Sequence, residues 1–382
     1  MTRKTDTFIF ITIFVDMLGY GIVVPLLPLY VERQMPGGTI VGLLTALYAL
    51  AQAIGGPFLS GLSDRFGRRP LLLGCLAGTC LAYLLLGLAD TLVLVALALL
   101  LDGATGGNLS IAQAYIADTA PPEARAARFG LVSVAFGVGL MVGPALSSML
   151  SLAGLSVPAY AAAALAAANL GFGLLVLPES LPPERRSRTP LLALNPLQIL
   201  LRALHGPARP ILLTLLLVNL AFAGLQSLFP IFSRARFAWE ASTNALFYAF
   251  VGGCAVATQA ILLPRLVRHF GERRLAAGGI VLLAGGMLLI AGAPVAWLLF
   301  PLAALLAVGT NLSIPCLSSM LSARSAGEAQ GQAMAGLQII LNLALIGGPL
   351  SAGIAYDRIS PAAPFLLGAL WAIAALLLLR RG

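Results

Sequence analysis

The sequence is poor in charge, in histidine and in cysteine, and each shortage excludes something. Only 10% of its 382 residues are charged, against about 25% in a soluble domain. That excludes a water-soluble enzyme of ordinary composition and a charged, disordered tail protein. The two histidines, His205 and His269, fall in loops between apolar runs, so no histidine-bearing metal site is expected. Cys75, Cys80, Cys254 and Cys316 lie inside apolar runs, where free thiols pack as small hydrophobes. Neither a disulfide, a metal nor a cofactor is expected. No GxxxxGK phosphate loop occurs, so the chain has no ATP drive of its own.

What is there is apolar surface. Hydrophobic residues make up 59% of the chain and the mean hydropathy is +0.97, far above the roughly 45–50% apolar content of soluble domains. Apolar runs between charged or Pro/Gly-rich breaks give twelve membrane spans, at 8–30, 40–62, 71–89, 92–116, 128–152, 157–177, 210–232, 243–266, 276–293, 296–320, 331–354 and 363–380. The first run follows Arg3 and Lys4 but contains Asp16 and is too long for a signal peptide; it reads as a retained span. The stretch 178–209 is the only sizeable linker. The expected organisation is an N-terminal six-helix bundle, 1–177, a cytoplasmic linker, 178–209, and a C-terminal six-helix bundle, 210–382.

The net charge of +9 arises from one lysine and twenty-two arginines. With the N-terminus inside, nineteen of these basic residues fall on the cytoplasmic side and four (Arg33, Arg234, Arg236 and Arg358) on the other. The positive-inside rule then places both termini on the cytoplasmic side of the cell inner membrane. Lipid, not nucleic acid, is the partner of this basicity.

The two halves repeat. Asn108-Leu109-Ser110-Ile111 recurs as Asn311-Leu312-Ser313-Ile314 at an offset of 203. Phe66-Gly67 with Arg69 recurs as Phe270-Gly271 with Arg273, and Gly143-Pro144 as Gly348-Pro349. Val15-Asp16 corresponds to Val218-Asn219. Such duplication marks secondary transporters, with a substrate site near the midplane between the repeats.

At this point the residues resemble a known family. Gly61-Leu62-Ser63-Asp64-Arg65-Phe66-Gly67-Arg68-Arg69 resembles the signature loop of the major facilitator superfamily. Leu18-Gly19 with Pro25-Leu26-Leu27-Pro28, and Gly139, Gly143 and Pro144 in span 5, resemble motifs of its twelve-span drug/proton antiporter branch. The stretch from Ala46 to Pro70, and Ile116-Ala117-Asp118, are similar to bacterial tetracycline-efflux proteins. Three departures stand out. The branch's span 4 arginine is here Leu99. Ser147-Ser148 replace preferred glycines. The acids that tetracycline exporters carry in spans 3 and 9 are missing, the span 3 position being about Ala82. The resemblance implies an all-α membrane protein of twelve helices in two pseudo-symmetric bundles. It also implies a latch of Asp64 and Arg68 with Asp118 that holds the outward-facing state. Gly61, Arg65, Gly67 and Arg69 belong to the same loop.

Asp16 lies about eight residues into its span, roughly 12 Å deep, near the middle of a ~30 Å hydrocarbon core. An acid there is costly and should face protein or water. It can take up and release a proton as its surroundings alternate; the rival role is a structural acid bonded to neighbouring backbone or hydroxyls. Asp102 is similarly deep in span 4; the two acids are expected to face one aqueous cavity and divide proton and substrate duties, the rival role of Asp102 being a structural pairing with Asn108 or Gln113. Tyr48 and Gln52, Asn219 and Gln226, and Gln338 and Asn342 each share a helix face by spacing. With Asn108, Gln113, Gln259 and Asn311 they can line a substrate cavity walled by Phe136, Phe222, Phe229 and Phe247, or serve as interhelical glue. Pro25, Pro28, Gly139, Gly143, Pro144, Gly348 and Pro349 should bend or thin their helices. The function expected is export of small amphipathic, drug-like organic compounds by proton antiport, in a monomer and without enzymatic activity. The alternative is an uncoupled or substrate-coupled facilitator of the same superfamily, for a metabolite or sugar.

Overall fold

In a bilayer every backbone N–H and C=O must be satisfied within the span, which leaves helices for runs this long. The computed structural model describes residues 3–23, 26–34, 37–119, 135, 138, 139, 142, 143, 146, 147, 149–186, 206, 208–324 and 328–381. Among them the regular structure is entirely helical, and eleven helices are long and apolar enough to cross a membrane. The expected span at 128–152 lies largely outside the described residues. Its described positions, Ala135, Val138, Gly139, Val142, Gly143, Leu146, Ser147, Met149, Leu150 and Ser151, are helical, and Leu152 is in a turn.

The first half contains α1 (Arg3–Val23), α2 (Leu27–Gln34), α3 (Gly38–Phe66), α4 (Arg68–Gly87), α5 (Leu92–Ala104), α6 (Asn108–Thr119) and α7 (Val157–Val176). The second contains α8 (Arg209–Phe237) and α9 (Ala241–Ala257), the latter running through a π-helical turn at Thr258–Leu262 into α10 (Leu263–Phe270). It continues with α11 (Glu272–Ala291), α12 (Leu299–Arg324), α13 (Glu328–Arg358) and α14 (Ala363–Arg381).

The chain forms two compact units. One comprises Met1–Gln34 and Leu47–Ala193, the other Met35–Ala46 and Leu194–Gly382. The start of α3 therefore belongs to the second unit and the rest of that helix to the first. Within the second unit the free N–H groups that open α3 are not left to lipid. Gly38 and Thr39 donate to Asp357 Oδ1 and Oδ2 at 2.8 and 2.7 Å, the capping that a helix start requires.

Each unit has its own core. In the first, Ile13, Leu72, Ile111, Ala112, Tyr115 and Ile116 pack where α1, α4 and α6 meet. In the second, Phe229 stacks on Phe247 with ring centroids 4.1 Å apart, and Trp239 meets Phe247 edge-on at 5.5 Å. The outward sides are as apolar as the cores: Leu175 is 87% exposed and Leu152 77%. Such surface is tolerable where lipid is the solvent.

Glycines set the closest helix contacts. A Cβ on Gly143 would lie 2.6 Å from Gly21 Cα, and one on Gly139 would lie 2.7 Å from Met17 Cβ. Four residues on, Ser147 Oγ donates to the Ile22 carbonyl at 2.7 Å. These three small residues, one turn apart, form the seam with α1. In the second unit a Cβ on Gly348 would lie 2.7 Å from the Leu220 carbonyl oxygen, beside Gly224 of α8. Pro28 is buried in α2 and Pro349 in α13; Pro25 and Pro144 lie outside the described residues.

Candidate functional site

Two acids of the first unit, Asp102 buried and Asp16 half-buried, sit on either side of a break in a helix. Span 4 is two helices: α5 ends at Ala104 and α6 starts at Asn108. Between them Gly106 N–H turns back to the Gly103 carbonyl at 3.0 Å and Gly107 N–H to the Thr105 carbonyl at 2.8 Å. Glycines make room for the break. A Cβ on Gly55 of α3 would strike the Ala104 carbonyl, and one on Gly78 of α4 would strike Thr105. Asp102 occupies the last turn of α5, 8% exposed, and is hydrogen-bonded to Thr79 of α4. Its structural partner is thus Thr79 rather than the expected Asn108 or Gln113. Asp16 of α1 accepts from Asn108 Nδ2 at 2.7 Å. Asn108 is 2% exposed, and its Oδ1 is buried without a partner among the described residues.

Tyrosines surround the acids. The Tyr20 and Tyr48 rings lie 5.9 Å apart, Gln52 Nε2 donates to the Tyr48 hydroxyl at 3.2 Å, and Tyr83 packs over Gly19. Asp16 and Asp102 each bear electrostatically on Tyr48 and Tyr83. The structure thus brings Asp16, Asp102, Asn108, Tyr48 and Gln52 together. Gln113 is exposed farther along α6, and Phe136 lies outside the described residues. Leu99 is buried in α5. Among the described residues the only side-chain salt bridges are those of Arg68, so neither acid has a basic partner.

The second cluster lies at the α3–α4 turn. Arg68, with 8% of its side chain exposed, bonds Asp64 through Nη1 at 2.5 Å and Asp118 at the end of α6 through Nε at 2.9 Å. Nη1 also donates to Ser63 Oγ at 2.7 Å. One guanidinium thus binds two carboxylates and a hydroxyl from two helices, a geometry lysine cannot supply. Gly67 has φ 108°, a conformation that favours glycine, and a Cβ there would also strike Glu179.

Glu179 was missed by sequence reasoning. It accepts from the N–H groups of Arg68 at 2.9 Å and Arg69 at 3.3 Å, capping α4 with a negative charge where the helix dipole favours one. An acid directly after a span-ending proline was the available signal. Two expected members of the latch stand apart from it. Arg65 is exposed over the Phe66 ring. Arg69 turns away to donate to the Leu174 carbonyl at the end of α7, at 2.9 Å. Gly61 is half-buried in α3.

In the second unit Asn219, Asn311 and Gln259 bond one another or their own helix. Asn219 donates to the Leu215 carbonyl at 2.8 Å. Asn311 donates to the Ala307 carbonyl at 2.8 Å and accepts from Gln259 Nε2 at 2.7 Å. Gln259 sits in the π turn of span 8, a feature with no sequence signal. Phe222, Gln226 and Asn342 are half-buried, and Gln338 is exposed. Phe229 and Phe247, expected as cavity walls, are instead core, 2% and 4% exposed. Their stacking with Trp239 and Tyr248 draws them inward.

The sequence model described as the Major Facilitator Superfamily matches residues 9–275 and 254–381. The chain belongs to that superfamily. Within the superfamily it is similar to the class C tetracycline resistance protein of Escherichia coli, 35% identical over 89% of this chain and 86% of that one. It is also similar to the class G tetracycline resistance protein of Vibrio anguillarum, 31% identical over 95% and 92%. The solved structure of the nucleoside transporter NupG superposes with a TM-score of 0.80 at 14% identity, over 100% of this chain and 99% of that one, a likeness of fold. The chain is a multi-pass membrane transporter with the major facilitator fold.

Proposed function

We propose that this transporter exports small amphipathic, drug-like compounds in exchange for protons, by alternating access between bundles 1–177 and 210–382. The observation that carries the reading is the pair Asp16 and Asp102. They are two carboxylates at span depth whose hydrogen-bond partners, Asn108 and Thr79, are neutral. A coupling acid must gain and lose its proton in each cycle, and a carboxylate locked to arginine or lysine resists protonation. Likeness to resistance proteins along nearly the whole chain supports a drug-like substrate. The placement of nineteen of twenty-three basic residues on one side supports an inner-membrane topology with both termini cytoplasmic. The Arg68–Asp64–Asp118 cluster fits a latch that holds one access state. Lipid, protons and the transported compound are the partners, and a monomer suffices.

Proton entry at ~100 mV supplies roughly 2.3 kcal/mol per charge, enough for a substrate gradient of about fortyfold to fiftyfold per proton. The test is purified protein in liposomes under an imposed pH gradient, with proton and dye-like drug flux followed together. Wild-type drug flux is expected to dissipate the pH gradient, and Asp16→Asn to lose that coupling. Drug flux indifferent to both gradient and mutation would make the protein a facilitator.

A further inference from the structure

We propose that Asn108 is a positioning residue that reads the protonation of Asp16, and that α6 carries that reading to the Arg68–Asp118 ion pair. The inference depends on Asp16 being the coupling acid. An ionised carboxylate only accepts hydrogen bonds, whereas a protonated one must also donate. Asn108 meets the first requirement with its Nδ2, 2.7 Å from Asp16 Oδ1. It meets the second with its Oδ1, which is buried and has no partner among the described residues. An acceptor left this way is costly, and it is the acceptor that a protonated Asp16 lacks. Inverting the amide exchanges one bond for the other. The other titratable groups facing Asp16 are Asp102 of α5, Tyr48 of α3, and Tyr83 and Cys75 of α4. Within the described chain none of these is basic, so the amide is the group that distinguishes the two states of the acid.

The hydrogen bond also has leverage. Asn108 is the first residue of α6, and Asp118 lies in its last turn, bonded to Arg68 at 2.9 Å. Twelve helical residues span about 16 Å, and a regular helix transmits displacement along its axis. Behind Asn108 the chain is non-helical at Thr105–Gly107, so this end of α6 can pivot while α5 stays fixed. A charge-assisted bond is roughly twice as strong as a neutral one. The start of α6 is therefore held more firmly when Asp16 is ionised than when it is neutral, and the Arg68–Asp118 bond at the other end feels the difference.

The test uses the full-length protein at one fixed pH, with Asp16→Asn as the neutral stand-in for the protonated acid. Backbone hydrogen–deuterium exchange is followed in segments 61–70 and 112–119. Asp16→Asn is expected to speed exchange in both about fivefold. Asn108→Leu, close in volume but unable to hydrogen-bond, is expected to abolish this response, so that adding Asp16→Asn changes nothing more. Asn108→Ser, whose hydroxyl both donates and accepts, is expected to keep it. A response to Asp16→Asn equally large in the Asn108→Leu protein, or absent in the otherwise wild-type chain, would overturn the relay. Should Asn108→Leu not fold, the Asp16→Asn and Asn108→Ser arms still decide. Loss of proton coupling in Asp16→Asn liposomes without any change in exchange would sink the relay alone. Retained coupling would sink the role of Asp16 itself.

Discussion

Gly143 closes on Gly21 in the first half of the chain, and Gly348 closes beside Gly224 in the second. These are equivalent positions of the repeat, offset by 205 and 203 residues. Arg69 donates to the Leu174 carbonyl at 2.9 Å, and its counterpart Arg273 to the Leu379 carbonyl at 3.0 Å. Gly67 and Gly271 both precede a helix with positive φ. Beside this shared frame the polar interiors differ. Asp16 and Asn108 bond each other across two helices; their counterparts Asn219 and Asn311 turn to carbonyls of their own helices. Arg68 grips two carboxylates, whereas Glu272, the corresponding residue, accepts from Ser319. Span 4 is broken beside its acid, while α12 runs on past Asn311 to Arg324. Duplication has kept helix contacts and helix-end chemistry in both halves. Ionisable interactions at depth are concentrated in the first.

If the frame is equivalent, breaking it should cost the same on either side. Gly143→Val and Gly348→Val each drive a branched side chain into backbone 2.6–2.7 Å from the Cβ position. Overpacking of this kind costs about 3 kcal/mol, and backbone cannot step aside as a side chain tip would. Both variants are expected to lose most folded protein, measured as the monodisperse fraction after detergent extraction. A large loss in one and none in the other would break the equivalence.

The charge difference predicts the opposite, an asymmetric result. Arg68→Ala leaves Asp64 and Asp118 without their shared cation. Because both carboxylates are partly open, at 45% and 23%, the loss should be about 2 kcal/mol rather than the full value for a buried pair. That corresponds to a transport rate down about thirtyfold, with Arg68→Lys a poor rescue because an ammonium lacks the guanidinium fork. Glu272→Ala removes one exposed bond and should cost about 0.5 kcal/mol. Drug efflux from cells at matched expression measures both; equal losses would mean that the cluster has no special role.

How much of this was legible beforehand depended on which physical signal each feature leaves. Span positions and the depth of Asp16 follow from hydropathy, and the repeat from residue identities that recur at a near-constant offset. Asp64, Arg68 and Asp118 were legible through their resemblance to a signature loop, but that resemblance also gathered in Arg65 and Arg69, which the folded chain uses elsewhere. Arg69 binds a helix-end carbonyl, a role that its recurrence as Arg273 could have suggested. The break in span 4 had a signal in Thr105-Gly106-Gly107 ahead of Asn108, yet hydropathy runs straight through it. Phe229 and Phe247 illustrate a limit of principle. In a membrane protein, core, cavity wall and lipid-facing surface are all apolar, so composition alone cannot distinguish them.

A small predicted effect separates the halves most cleanly. Asn311→Leu removes the same amide as Asn108→Leu, from the equivalent position. It forfeits a bond to exposed Gln259 and one to the Ala307 carbonyl, in a helix whose backbone ladder continues on both sides. Interhelical polar contacts of this kind within membranes are worth about 0.6 kcal/mol. No carboxylate depends on Asn311 among the described residues, so its loss should leave the ratio of protons to drug molecules unchanged, with turnover reduced less than about threefold. The ratio follows from simultaneous proton and drug flux in liposomes. An altered ratio in Asn311→Leu would place proton handling in both halves, and the contrast between a coupled half and a self-satisfied one would fail.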